Sequence, residues 1–229
     1  MKKKEKSLAN KVNLIRAIVM GANDGILSIA GIVIGVASSG ISTHAILLSG
    51  IAGMLAGTVS MAMGEYVSVS TQHDTQRKAI LMEQHALDDD YQKEFNFIKN
   101  KYIKTGISAD LADQATQEML SDNNELAVAV RERYGFDIND QTSAISAAIA
   151  SMISFPTGSI LPLVAISLLP VKIRIFGTFI AVVIALAITG YIAAILSKSN
   201  RLKSTIRNII SGMVTMVVTY GVGLIFRNH

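Results

Sequence analysis

The chain contains no cysteine and no tryptophan, only 3 prolines, and just 17% charged residues. Without cysteine there is no disulfide scaffold, no thiolate zinc site and no cysteine nucleophile. The shortage of charge, alongside 50% hydrophobic residues and a mean hydropathy of +0.42, excludes an ordinary soluble domain. Such domains carry about a quarter charged residues. No Gly-x-x-x-x-Gly-Lys loop is present to drive a nucleotide pump, and no Gly-x-Ser-x-Gly elbow or deeply placed histidine to build a hydrolase. The chain is therefore not read as an enzyme. The net charge of +4 gathers at the N-terminus and in one late loop, which does not make a nucleic-acid face.

What is present is apolar length. A membrane-spanning helix needs about 20 mostly apolar residues. Five stretches reach that, at 14–39, 44–70, 142–169, 175–196 and 207–226. The last three hold no acidic or basic residue in their cores, and the first two hold one acid each, Asp24 and Glu65. The expected fold is an all-α membrane protein with five transmembrane helices and a small helical insert between the second and third. The lysine-rich start before an apolar run also has the form of a secretory signal, but Asn23-Asp24-Gly25 interrupts the apolar core.

The expected domains are 1–70, a basic segment with helices 1 and 2; 71–141, the insert; and 142–229, helices 3 to 5. The insert holds 14 of the 17 acids against 8 basic residues. Its apolar positions Leu111, Ala115 and Met119, then Leu126 and Val130, recur at helical spacing. Ser108 and Asp122 are read as N-caps, and Lys104-Thr105-Gly106 and Tyr134-Gly135 as stops. Three or four short helices are expected there, the first continuing out of the second span.

Basic residues set the orientation. With the N-terminus in the cytosol, the inside receives Lys2, Lys3, Lys4, Lys6, Lys11, Arg16, Lys198, Arg201, Lys203 and Arg207, and the outside only Lys172, Arg174 and Arg227. The insert is then cytosolic and the C-terminus external or lumenal, in the plasma membrane if the source is bacterial. His44 falls in a short external turn and is read as a solvated loop residue.

An ionisable group inside a membrane span costs a few kcal/mol at the least, and its default reading is functional. Counted from the ends of their spans, Asp24 lies about 15 Å deep and Met61 about 14 Å, at 1.5 Å per residue. Glu65 is one turn nearer the cytosol on the same helix face as Met61. Small-xxx-small pairs at Gly21/Gly25, Gly31/Gly35 and Gly53/Gly57 let the first two helices approach, and Asp24 shares a face with Gly31 and Gly35. Asp24, Met61 and Glu65, beside Asn23 and Ser60, are therefore the candidate ligands of a transport path. Two carboxylates and a thioether suit Fe²⁺ or Mn²⁺ better than Mg²⁺ or Ca²⁺. A carboxylate in low dielectric trades a proton for a cation, the elementary step of an antiporter. The competing reading makes the two acids helix-to-helix hydrogen-bond partners and Met54 and Met63 ordinary packing.

The stretch Gly21-Ala22-Asn23-Asp24-Gly25-Ile26-Leu27-Ser28 resembles the first-helix signature of the vacuolar iron transporter family, in its bacterial type. So does Ala56-Gly57-Thr58-Val59-Ser60-Met61-Ala62-Met63-Gly64-Glu65-Tyr66 in the second helix. Gly158-Ser159-Ile160-Leu161-Pro162 and Thr219-Tyr220-Gly221-Val222-Gly223 are similar too, in order along the chain. The resemblance implies a five-helix protomer that forms a homodimer, with an ion path between protomers. It implies proton-coupled export of Fe²⁺ or Mn²⁺ as cargo, with Asp24 and Met61 lining the path and no permanently bound cofactor. The partners are then a second copy, the lipid bilayer, protons and divalent metal ions.

The insert resembles the family in position and not in ligands. Ala129 and Val130 stand where methionines are expected, Arg133 where a glutamate is, and Phe97 and Asn100 where a glutamate pair is. Its remaining acids, Glu83, Glu94, Glu118, Asp122 and Glu125, with Asp90, have metal-compatible helical spacing, as does the weaker group His85, Asp88 and Asp89. A solvated helix face explains them as well. The alternative function is a membrane-anchored metal-sensing or partner-binding module acting through this insert.

Overall fold

The computed structural model describes residues 8–121, 124–139 and 142–227, with side chains from Val12 onward in the first helix. The elements are α1 (Leu8–Ser38), α2 (Thr43–Asp89), α3 (Tyr91–Lys104), α4 (Ala109–Leu120), α5 (Glu125–Tyr134), α6 (Ala144–Leu168), α7 (Arg174–Leu196) and α8 (Arg201–Arg227). The fold is all-α, and α1, α2, α6, α7 and α8 are each long and apolar enough to cross a membrane. Two compact units emerge, residues 1–67 with 143–229, and residues 68–142; α2 runs from the first into the second without a break.

In the first unit α1 is the hub. Half of its apolar window is buried, against 17% for α2 and for α8. Small residues make this possible. A Cβ on Gly158 of α6 would sit 2.0 Å from the Ala22 carbonyl oxygen, and one on Gly25 of α1 would sit 2.1 Å from that of Phe155. Backbones in contact at this range gain dispersion that larger side chains would forbid, the usual basis of helix association in lipid. Gly31 and Gly35 meet Thr215 and Thr219 of α8, while Gly53 and Gly57 of α2 receive Ile32 and Phe155.

Two apolar clusters follow from this arrangement. One joins Ile26, Ala30 and Ile34 of α1 to Val182, Leu186 and Met216 of α7 and α8; the other joins Ile29 and Val33 to Ile46, Phe155 and Ile166 of α2 and α6. The outward positions remain apolar. Phe176, Ile180, Ile184 and Ile188 of α7 are all exposed. Helices apolar on every side belong in lipid.

α6 passes Pro156 and Pro162 as one uninterrupted helix, as membrane helices readily do. Two hydroxyl groups near the prolines bond back one turn along the helix: Thr157 donates to the Ile153 carbonyl at 2.7 Å and Ser159 to that of Phe155 at 2.8 Å. His44 sits in the first turn of α2, exposed, rather than in the preceding loop.

The second unit packs Leu87, Ile98, Leu120 and Ala129 into its own small core. Asp90 caps α3, its carboxylate accepting from the Lys93 amide at 3.0 Å. α4 starts after Ser108, without a side-chain bond from it. The stops at Gly106 and Gly135 take φ of +97° and +77°, a left-handed backbone that glycine adopts without strain. Asp122, read as a cap and as a weak metal ligand, lies outside the described residues.

Candidate metal path

Asp24 lies midway along α1 and is exposed in the protomer. Its Oδ1 accepts a hydrogen bond from the Ser28 hydroxyl at 2.9 Å, one helical turn on. Sequence reasoning passed over Ser28, although the i,i+4 spacing of an acid and a hydroxyl was the signal for it. The Asn23 side chain presents its Oδ1 in a buried position with no hydrogen-bond partner among the described residues. That orphan oxygen, one residue from Asp24, is an unused donor atom suited to a hard or intermediate cation.

Met61 is half-buried, packed against the cluster built on Ile29, Val33 and Phe155. Ser60 is exposed on α2. Glu65 has a partner that sequence reasoning counted only for orientation: Arg16 of α1, whose guanidinium nitrogen lies 3.1 Å from Oε1. The carboxylate side chain is 15% exposed and that of Arg16 is 51% exposed. Among the described residues, Asp24 and Glu65 share no hydrogen bond or ion pair.

Contacts along the two helices give their register. Val33 lies beside Gly50, Ile32 and then Ile29 beside Gly53, and the long Arg16 side chain reaches Glu65. Across these contacts Met61 falls opposite the stretch of α1 from Met20 to Asp24. Beyond Asp24, on the same face of α1, a groove of about 440 Å³ opens between α1, α2 and α8, lined by Gly31, Gly35, Val36, Thr219 and Phe226.

The insert's acids are differently employed. Glu83 and Glu94 are buried at 1% and 3% exposure, and both face Arg133. Arg133 Nε lies 2.9 Å from Glu83 Oε2, an ion pair whose N–H is not aimed as a hydrogen bond, while a terminal nitrogen donates to Glu94. The guanidinium also stacks 4.0 Å above the Phe97 ring. Burial opposes charge on Arg133, yet the Glu94 bond and the Glu83 charge hold its pKa above the ordinary value. Two carboxylates that resemble a metal pair therefore already enclose a cation.

Glu118 and Glu125 are exposed, as are His85, Asp88 and Asp89, and Asp88 accepts from Gln84 at 3.1 Å. Among the described residues no group of three or more histidine and acidic side chains is placed to hold a metal ion. The position of Arg133 was visible in the sequence; its two partners, 39 and 50 positions away, were not.

Comparison with known proteins bears on the whole of this arrangement. The VIT family profile matches residues 15–224, which takes in all five long helices and the insert. Vacuolar iron transporter homolog 2 of Arabidopsis thaliana is 31% identical over 210 residues, covering 90% of this chain and 81% of its own. Vacuolar iron transporter homolog 1 of Oryza sativa subsp. japonica is 32% identical over 216 residues, 94% of this chain and 75% of its own. The vacuolar iron transporter of Acanthamoeba castellanii is 30% identical over 223 residues, 97% of this chain and 82% of its own. The Gly-Ala-Asn-Asp-Gly turn around Asp24, the Met61 and Glu65 face and the small-residue seams that hold α1 at the centre all lie within the matched region, and the chain belongs to the VIT family.

Proposed function

We propose that this integral membrane protein is a proton-coupled antiporter that exports divalent transition metal, Fe²⁺ or Mn²⁺, from the cytosol along a path completed by a second copy of the chain. The relatives are named as iron transporters, not as enzymes, which supports metal ions as cargo. The observation that carries the reading is Asp24: a carboxylate on an apolar, membrane-length helix, exposed in the protomer, with a serine hydroxyl as its partner. Left against acyl chains, such a group costs several kcal/mol. A second copy laid over the Asp24 face of α1 and α2 would replace lipid with a polar, water-accessible seam.

Within that seam Asp24 binds the cation, with the orphan Asn23 oxygen and the Met61 thioether as neutral donors, and Glu65 stands toward the Arg16 end. A divalent ion arriving at a protonated carboxylate displaces its proton; reprotonation from the far side releases the metal. The distribution of basic residues supports a topology with the N-terminus and residues 71–141 in the cytosol and the C-terminus outside or in a lumen. The insert serves this scheme without a metal site at Glu83 and Glu94, since Arg133 occupies the space between them.

The test is uptake of Mn²⁺ or Fe²⁺ into proton-loaded liposomes. Asp24→Asn is expected to abolish uptake while leaving the oligomer intact, and Glu65→Gln to weaken it. Wild-type uptake by Asp24→Asn would reject the assignment. A sensing module acting through the insert gives the opposite pattern, with function lost on changes to residues 71–141 and kept in Asp24→Asn.

A further inference from the structure

We propose that Arg16 is a tethered counter-ion for Glu65, a latch that each metal ion entering the path has to displace. The proposal rests on the transport reading and concerns the group that the ion meets first. Arg16 reaches Glu65, which lies one helical turn beyond Met61 on α2 toward that end, whereas Asp24 lies eight residues further along α1 than Arg16, about 12 Å at helical rise. An ion approaching from the Arg16 end therefore reaches Glu65 before Met61 or Asp24, and finds the carboxylate already bearing a cation.

The geometry suits a displaceable contact. It joins one guanidinium nitrogen to one carboxylate oxygen at 3.1 Å, instead of the two parallel bonds of a bidentate pair. The two partners are unequally held. Glu65 is largely enclosed at 15% exposure, while Arg16 is half exposed at 51% and keeps the freedom of a long side chain. Half-exposed ion pairs contribute little, so an incoming divalent ion with twice the charge can replace the guanidinium. The contrast with Arg133 is instructive: there one arginine serves two carboxylates that are nearly inaccessible and stacks on a ring, and it is not built to leave. When no metal is present, Arg16 also ties α1 to α2 at this end of the path. Displacing it releases that one tie at the moment of loading and leaves the apolar packing of the two helices in place.

A latch of this kind makes Arg16 a competitor with the cargo for one carboxylate. The full-length protein in liposomes gives the test, with Mn²⁺ uptake measured across metal concentration. Arg16→Gln is expected to lower KM roughly two- to five-fold, the range set by a half-exposed pair, with a smaller change in kcat. Arg16→Lys keeps a cation within reach and stays near the wild-type KM. In a Glu65→Gln background the Arg16→Gln change is expected to leave KM where it was.

Equilibrium Mn²⁺ binding to the solubilised protein, read from the EPR signal of the free ion, makes the same comparison without any transport. The dissociation constant is expected to fall in Arg16→Gln only while Glu65 is present. An unchanged or raised constant in Arg16→Gln, or an equal fall in the Glu65→Gln background, would overturn the latch. The transport reading fails separately, by metal flux that ignores Asp24→Asn, and the binding comparison is readable in either case.

Discussion

Asp24 and Arg133 show two ways in which a charge is kept at an unfavourable position. Among the described residues Asp24 has a neutral hydroxyl as its hydrogen-bond partner, which suits the cation binding proposed for it. Removing that hydroxyl, as in Ser28→Ala, leaves the carboxylate in place but less well oriented. The expected result is a loss of metal uptake of roughly two- to five-fold, the worth of one modest hydrogen bond, against complete loss in Asp24→Asn; liposome uptake measures both. Arg133 is the reverse case, a cation spent entirely on Glu83 and Glu94. Arg133→Gln strands two buried carboxylates and should destabilise residues 68–142 by about 3 kcal/mol. Hydrogen exchange in α3 and α5 should accelerate by roughly a hundred-fold, since a tenfold change corresponds to about 1.4 kcal/mol. Exchange at the wild-type rate would show that the triad does not hold this unit together.

At the level of helices, packing depends on glycines whose replacement is not tolerated equally. Gly158→Ala drives a methyl group into the Ala22 carbonyl, a backbone atom that cannot step aside, and should lower the melting temperature of the solubilised protein by several degrees. Gly221→Ala, where a Cβ meets nothing within 4 Å, should leave it close to wild type. Equal melting temperatures would contradict the close approach of α1 and α6.

In the insert, Lys101 on α3 reaches Glu132 on α5 at 2.9 Å. Burial pushes the Glu132 carboxyl up, but the bonds from Lys101 and Tyr102 pull it below the ordinary glutamate value of 4.5. A depressed folded-state pKa means that the contribution is complete above that ordinary value and fades as pH falls through the lower one. Glu132→Gln should therefore melt earlier than wild type at pH 7, with the difference shrinking as the medium is acidified below about pH 4.

The five long helices were legible because an apolar run of about 20 residues has few other uses. The ends of α3 and α5 were legible because Gly106 and Gly135 mark them in the sequence. The continuity of α6 through Pro156 and Pro162 was not, since each proline removes a helical amide and only the packed helices decide whether the helix runs on past it.

Taken whole, the five-helix unit presents apolar residues outward from α7 and α2 and one acid on α1. The candidate path residues stand out by composition alone, since Asp24 and Glu65 are the only acids within apolar runs. How closely they approach could not be read there, because that is set by side chains meeting across helices. Nor could the identity of Glu65's partner, 49 residues away in the chain. If the Asp24 face is covered by a second copy, single cysteines placed beside it on α1 should cross-link between protomers in membranes. The native chain offers no thiol to confuse that readout.

The central claim is that metal and protons cross in opposite directions through a seam containing Asp24. Liposomes carrying a pH-sensitive dye and loaded at low internal pH allow both fluxes to be followed in one trace. Addition of external Mn²⁺ should raise the internal pH as the metal enters, and Asp24→Asn should silence both signals together. Metal entry with no change in internal pH, or equal traces from wild type and Asp24→Asn, would contradict the account.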